Sequence, residues 1–565
     1  MKMNVRRHVN FQEGICMSFF DIKKIRKKEQ KMKKRLTKLI SLLALVTLTI
    51  TGCGSGDSGT AKEETKDGIK AYVGTSIFEG SLDPVKGAMS FGYPFINNAL
   101  IRVDSESKYI GDLAKNWEIS EDALTYTFHL NDGIKFSDGS DFNAEDVVFT
   151  YETVRDNQAN NENVDLTRLD TVKAIDDMTV EFHLKEAYSP FLDTTALLQI
   201  VPSDAYDKEK FDTQPIGTGA YKVSQYDADQ QIILEANENY WKEKPEIEKV
   251  TLVNMDSDAA FAAAQSGELD IVMVGANYAD EKIDGMTVQK FETMDVRNIS
   301  LPVRPESTVE NSKGESVIVG NNVTSDIAVR KALSIGIDRQ KIIDNAFNGI
   351  GVPAVNFTDN LLWANTNYYE DNQADEAKKI LDEAGWVPGE DGIRVKDGQK
   401  CTFDVYASAG DEERYNLAVA LAENAKDLGI DIQAKTATWD EIETLQNTAG
   451  VVWGWGQYSP TVLESLFKSD KFLSGAFDNV VGYNNPSVDE KINQAFSASN
   501  QEEATTIWKD VQEEANAEYP YLYLVNIQHC YFISDDLDVS VDTQIPHPHG
   551  HGSPIICNMS DWKMK

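Results

Sequence analysis

Between Leu124 and Leu184 apolar and polar residues alternate with a period of two, the spacing of half-buried strands. Tyr126, Phe128 and Leu130 share one face, Asn131-Asp132-Gly133 turns the chain, and Ile134 with Phe136 resumes the alternation, which predicts a β-hairpin. Val180, Phe182 and Leu184, after Asp176-Asp177, predict a second hairpin. Asn143, followed by Glu145 and Asp146, caps and charges the start of a helix carrying Val147, Val148 and Tyr151. Upstream, Lys70 to Ser76 reads as a first strand broken by Ser81-Leu82-Asp83-Pro84, and Phe91 to Val103 is apolar enough to be buried.

The second half switches between the helical and the strand period. Ser325 or Asp326 caps one helix, and Asp338 caps the next, whose apolar face is Ile342, Ile343 and Phe347. Ala377, Ile380, Leu381 and Ala384 recur at helical spacing until Gly385 stops them, and Gly392 to Lys400 is a hairpin-like excursion. Phe403 and Val405 predict a strand, Glu412 to Leu428 a helix, and Ile430 and Ile432 another strand. This is a βαβ unit, the module of a parallel sheet, and such sheets bind ligands at the carboxyl ends of their strands. Val451 and Val452 make the next strand, so Trp453, Trp455, Gln457 and Tyr458 become candidate ligand contacts, with glycines between them that let a ligand approach. Aromatic faces offer apolar area and attract cations, and both tryptophans fit equally well as core residues.

Met32 to Cys53 sets the compartment. Lys33, Lys34, Arg35 and Lys38 precede about a dozen mostly apolar residues, too few to span a bilayer, which needs ~20. The stretch reads as an export signal, 32–52, ending at Cys53, with a flexible polar tether over 53–68. Residues 1–31 are a basic extension, either real or preceding a true start at Met32. The formal net charge is −38 although the first 52 residues are basic, so the remainder is strongly acidic. Such a surface repels nucleic acid and anionic lipid, and neither is expected as a partner. Beyond Cys16 and Cys53 only Cys401, Cys530 and Cys557 remain, which leaves room for one bridge, such as Cys530 to Cys557, and no disulfide scaffold.

Phe136 to Glu152 (FSDGSDFNAEDVVFTYE), Pro215 to Tyr221 (PIGTGAY), Asn237 to Trp241 (NENYW), Ser266 to Val272 (SGELDIV) and Val329 to Ile343 (VRKALSIGIDRQKII) follow in order. Together they resemble the solute-binding proteins of ABC importers for oligopeptides, dipeptides and nickel, family 5. Ile50-Thr51-Gly52-Cys53 is similar to a bacterial lipobox, which implies a lipid on Cys53 and an extracytoplasmic, membrane-anchored protein. The resemblance implies an α/β, two-lobed periplasmic-binding-protein-like fold of the class II type with an extra domain and a ligand cleft between the lobes. The expected division is lobe I at 69–100, 213–303 and 520–565, the extra domain at 101–212, and lobe II at 304–519. PIGTGAY lacks the Gly-Lys-Ser/Thr ending of a phosphate loop, and its glycines are read as allowing a tight crossing.

The implied function is a receptor, not an enzyme: a monomer that captures a small peptide or a nickel or other metal chelate and delivers it to the permease subunits. In peptide-binding relatives the segment after the tryptophans supplies a carboxylate for the ligand's amine, and in some nickel-binding relatives a histidine. Here Gln457, Ser459 and Thr461 stand there, with no acid between Glu443 and Glu464. Arg297 is a candidate for a ligand carboxylate, and Asn322, before the capped helix, a further polar contact. His547, His549 and His551, in Pro546-His547-Pro548-His549-Gly550-His551, can converge on one transition metal or form a hydrogen-bonded loop; His529 beside Cys530 and Cys557 lie close in sequence. No cofactor is required, and nickel or another transition metal enters only as part of the ligand. The alternatives are a secreted glycosidase-like lipoprotein hydrolase and a ligand-sensing receptor not coupled to transport. Neither a Gly-x-Ser-x-Gly elbow nor a His-Glu-x-x-His motif occurs.

Overall fold

Two long antiparallel strands, Met286–Ser300 and Tyr521–Ser534, carry the architecture, because each runs through both halves of one 11-stranded sheet. The computed structural model describes residues 68–565 apart from 75, 79–80, 88–94, 158–160, 162–163, 358–360, 366–369, 457 and 545–552. Cys53, Gln457, His547, His549 and His551 lie outside the described residues.

On one side of the two strands, Ile271–Val274 pairs with Tyr521–Ser534, and Ile69–Tyr72 lies parallel between Ile271–Val274 and Lys249–Val253. Gln231–Ala236 and Tyr221–Asp227 complete this first lobe. Its core joins Ile69, Leu252, Ile271 and Tyr531 to Ile555, Ile556 and Trp562 from the chain end. On the other side, Gly450–Trp455 pairs with Met286–Ser300, and Thr402–Ser408 lies parallel to both Gly450–Trp455 and Asp431–Ala437. The βαβ unit read from the sequence is this element, with Glu412–Ala425 as its helix. Leu417, Leu421 and Ala425 pack on Phe403 and Val405 in the core of the second lobe. The fold is thus α/β and two-lobed, as expected.

Where the lobes meet, pairing of the long strands breaks. Glu292 pairs with Gln528 and Val296 with Asn526, so Thr293, Met294 and Asp295 stand opposite Ile527 alone. Thr293 Oγ1 donates to the Ile527 carbonyl at 2.8 Å and accepts the Asp295 N–H at 3.0 Å, which satisfies the polar groups the bulge exposes. This bulge is the crossing point between lobes.

A separate four-stranded antiparallel sheet orders Ala114–Ile119, Thr125–Leu130, Thr179–Leu184 and Leu169–Asp176 side by side. The hairpin predicted after Asp176-Asp177 is present. The one predicted across Asn131-Asp132-Gly133 is not, because both edges of Thr125–Leu130 are taken by Ala114–Ile119 and Thr179–Leu184. Ile134 and Phe136 are buried without forming a strand, and Lys135 makes a single bridge to Asp141. Helix Ala144–Asp156 begins with a capping box in which Asn143 accepts the Glu145 N–H and Asp146 accepts the Asn143 N–H.

The glycines of PIGTGAY allow a close crossing. A Cβ on Gly217 would meet the Ile96 carbonyl oxygen at 2.1 Å, and one on Gly219 the Phe95 carbonyl oxygen at 2.5 Å. Cys401, Cys530 and Cys557 are free thiols. The bridge considered between Cys530 and Cys557 is absent because Cys530 packs with Phe261 and Phe532 while Cys557 lines a recess beside Asn98 and Tyr240. Among the described residues no helix is long and apolar enough to cross a membrane, and no group of His, Cys, Asp and Glu is placed to hold a metal ion.

Candidate functional site

Ile527, opposite the bulge, and Arg297 beside it line a cavity of about 300 Å³ that both lobes wall. From the first lobe come the carboxyl ends of two parallel strands, Tyr72 to Gly74 and Met273 to Ala276. The second lobe contributes Phe347, Ile350 and Glu413, and the long strands contribute Arg297 and Ile527 to His529. Strand ends in a parallel sheet leave such a crevice because successive connections diverge there.

Arg297 is 7% exposed and donates from Nη1 to Asp295 at 2.5 Å, across the bulge. Next to this pair, Arg414 forms an ion pair with Asp411 at 3.1 Å and lies 5.4 Å from the Trp439 ring centre. Burial, reinforced by the Arg297 charge, pulls Arg414 down to about 10. Burial pushes the Glu413 carboxyl above its ordinary value, against the opposing pull of Arg297. Glu413 was passed over by the sequence reading. It stands in Asp411-Glu412-Glu413-Arg414, directly after the strand Thr402–Ser408, where the strand-end rule could have found it.

Among the described residues, the candidates Trp453, Trp455, Tyr458 and Asn322 do not line this cavity. Trp453 and Trp455 point to one face of Gly450–Trp455, and between them Gly454 pairs with Arg297. Alternation therefore sends the Arg297 side chain to the opposite face from both indoles. Trp453 is buried, stacked on Trp439 at 5.8 Å, with Trp455 at 5.8 Å and Phe477 at 5.7 Å. Tyr458 is also buried: its hydroxyl donates to the Ser107 carbonyl at 3.0 Å, and its own carbonyl accepts from Trp363 Nε1 at 2.9 Å. Ser459 then donates to Asp193 at 2.8 Å. Asn322 is exposed, accepts the Glu306 N–H at 3.0 Å and does not line the cavity.

His529, which drew notice beside Cys530, does line it. A second recess of about 510 Å³ lies between Asn97 to Ala99, Tyr240 to Glu243 and Asn558 to Asp561. Its buried Asp112 is paired with Lys242 at 2.5 Å. We call the cavity beside the bulge, where the lobes meet, the hinge cavity.

Residues 108–471 match the family described as bacterial extracellular solute-binding proteins, family 5. The chain belongs to that family. It is 31% identical over 523 residues to protein XP55 of Streptomyces lividans, covering 89% of this chain and 92% of that one. It is 27% identical to the oligopeptide-binding protein AppA of Bacillus subtilis, covering 87% of this chain and 94% of that one. Among solved structures, NikZ from Campylobacter jejuni in complex with Ni(L-His) superposes with a TM-score of 0.71 at 22% identity, covering 89% of this chain and all of that one. The family is one of extracellular solute-binding proteins.

Proposed function

We propose that this family-5 protein is the lipid-anchored receptor of an ABC importer, held to the membrane through Cys53, and that it captures compact peptides or metal chelates in the hinge cavity. The observation that carries this reading is the placement of the cavity: both lobes wall it, and it lies beside the bulge at which the long strands cross between them. Closing the lobes removes the solute from water and creates the surface a permease can recognise, so affinity and signalling are linked through one motion. Arg297 faces the cavity and suits a ligand carboxylate, sharing its guanidinium with Asp295.

Both ligand classes have precedents among the relatives, an oligopeptide-binding protein and a nickel-histidine complex. A volume of about 300 Å³ supports a dipeptide-sized solute or a small chelate over an extended peptide, since it lies at the lower end of ligand pockets. The expected division into lobe I, the extra domain and lobe II belongs to the same proposal. A thermal-shift screen of the protein lacking residues 1–53 against mixed dipeptides, longer peptides, Ni(II) and Ni(II) with free histidine tests it. A ligand at 100 times its Kd adds about 2.7 kcal/mol of stability, a readily visible shift. No shift with any of these solutes would sink the proposal.

A further inference from the structure

The chain leaving Thr179–Leu184, the third strand of the separate sheet, meets the second half of the protein at two places that do not line the hinge cavity. At the first, Ser189 donates from its N–H and its hydroxyl, 2.8 Å each, to the carbonyls of Phe496 and Ala495 at the end of helix Pro486–Phe496. The Tyr188 ring lies 5.4 Å from that of Phe496, with the Arg168 guanidinium 4.4 Å and 5.2 Å from the two ring centres. At the second, Asp193 of helix Phe191–Leu197 accepts from Tyr109 through one oxygen. Its other oxygen lies 2.8 Å from Ser459 Oγ, just after the second-lobe strand Gly450–Trp455. Tyr458, beside Ser459, reaches back to the Ser107 carbonyl at 3.0 Å.

Every group that faces Asp193 is a neutral hydroxyl: Tyr109, Tyr126 and Tyr188 from its own side, Tyr458 and Ser459 from the second lobe. Burial pushes all four phenols up, so none titrates near neutrality. The charged groups that act on those phenols are Asp165, Arg168 and Glu464 at Tyr188 and Asp104 at Tyr458. Among the described residues no cation offsets the burial of Asp193. A carboxyl group removed from water with hydroxyl partners alone is held in its neutral form, and burial accordingly pushes Asp193 up to about 7. A hydroxyl accepts as readily as it donates, so the protonated carboxyl keeps its bond by donating to Ser459 Oγ.

Opening the lobes withdraws Tyr458 and Ser459 and admits water to one side of Asp193, which returns its carboxyl toward the ordinary value of 3.8. We infer that Asp193 and Ser459 form a proton-linked clasp: the receptor takes up one solvent proton at Asp193 as it closes over a solute, so solute affinity rises as pH falls. The inference rests on the receptor reading above. Between roughly pH 4 and 7 the closed state binds more protons than the open one, so raising the pH through that window weakens binding, by at most about tenfold per pH unit. Asp193 touches no solute; it is a positioning residue that acts through Ser459 on the segment following Trp455.

The test uses the protein lacking residues 1–53, which leaves every described residue in place. It is titrated calorimetrically with mixed dipeptides, longer peptides, Ni(II), and Ni(II) with free histidine from pH 5 to pH 7, each in two buffers of different ionisation enthalpy. The buffer dependence of the heat counts the protons exchanged on binding. Subtracting the count for Asp193→Asn cancels any proton that the solute or His529 exchanges. At pH 6 wild type is expected to take up about one proton more than Asp193→Asn, and to lose close to tenfold in affinity per pH unit. Asp193→Asn, which keeps the shape and cannot titrate, is expected to flatten that dependence. A wild type that takes up no proton with any solute it binds overturns the inference without any variant having to fold. Equal proton counts in the two proteins overturn it too, and leave the receptor reading standing. No binding of any of these solutes by wild type removes both readings.

Discussion

Asn348 Nδ2 lies 3.2 Å from the carbonyl oxygen of Ala276 and donates to it, joining the end of helix Arg339–Phe347 in the second lobe to the end of strand Ile271–Val274 in the first. Glu413 lies beside the same segment, its Oε1 3.5 Å from the point a Cβ on Gly275 would occupy. Such contacts exist only when the lobes are together and therefore bias the hinge toward closure. Asn348 has φ +49°, so Asn348→Gly removes the amide without straining the backbone. One exposed hydrogen bond is worth about 0.5–1.5 kcal/mol. The variant is expected to expand in small-angle scattering without ligand and to bind ligand about two- to tenfold more weakly; unchanged scattering would show that the contact does not set the closed population.

Asp193 provides a pH-dependent contribution to stability. It is 3% exposed, accepts hydrogen bonds from Tyr109 and Ser459, and burial pushes its carboxyl up to about 7. The unfolded chain releases this proton near the ordinary aspartate value of 3.8, so between roughly pH 4 and 7 the folded state binds more protons. Its contribution is fully present below that window and is lost as pH rises through it, at up to about 1.4 kcal/mol per pH unit. Asp193→Asn should flatten this slope. Urea melts of both proteins from pH 4 to pH 8 are the check: parallel curves would mean Asp193 does not titrate there.

Much of the scaffold was legible because local chemistry and global fold agree in it. Asn143, Asp326 and Asp338 cap the helices that follow them, Gly385 ends its helix at φ +88°, and the Thr402–Ala437 unit is parallel as its pattern requires. The hairpin across Asn131 failed because strand pairing is decided by which edges meet in space, and Thr179–Leu184 outcompetes the local partner. The site was less legible for a similar reason. Arg297 could be picked out as a cation near the crossing, but Glu413 enters the cavity because the fold sets it beside Gly275, 138 positions earlier in the chain and on another lobe. Asp193 and Ser459 likewise meet across 266 positions.

Trp453 and Trp439 stack on one another yet should behave differently when truncated. Trp453 is 4% exposed inside the aromatic group, whereas Trp439 is 41% exposed at its edge. Trp453→Ala leaves a core cavity and should cost about 3–5 kcal/mol in urea unfolding. Trp439→Ala gives up mainly a stacked face and the Arg414 contact, and about 1 kcal/mol is expected. If Trp453→Ala proves as mild as Trp439→Ala while abolishing ligand binding, its indole belongs to the binding surface and not to the core.

Gly219 tests whether the Pro215 to Tyr221 segment is a structural crossing. Its N–H donates to the Ile96 carbonyl at 2.8 Å and Tyr221 N–H donates to the Phe95 carbonyl at 2.7 Å, so the two backbones run in contact. A methyl group at Gly219 would sit 2.5 Å from the Phe95 carbonyl oxygen and 2.6 Å from the Ile96 carbonyl carbon. Backbone atoms cannot swing aside as a side-chain end can, so the two segments must separate and lengthen those hydrogen bonds. Overpacking of this kind costs about 1–3 kcal/mol. Gly267, at φ +77° with nothing within 4 Å of its would-be Cβ, is the control, since alanine there meets backbone strain alone. Strain of that kind is worth about 1–2 kcal/mol. Gly219→Ala should fall at least as far as Gly267→Ala in urea unfolding and, unlike it, accelerate amide exchange at Gly219 and Tyr221. Native-like protection of those two amides in Gly219→Ala would show that the crossing is looser than its geometry requires.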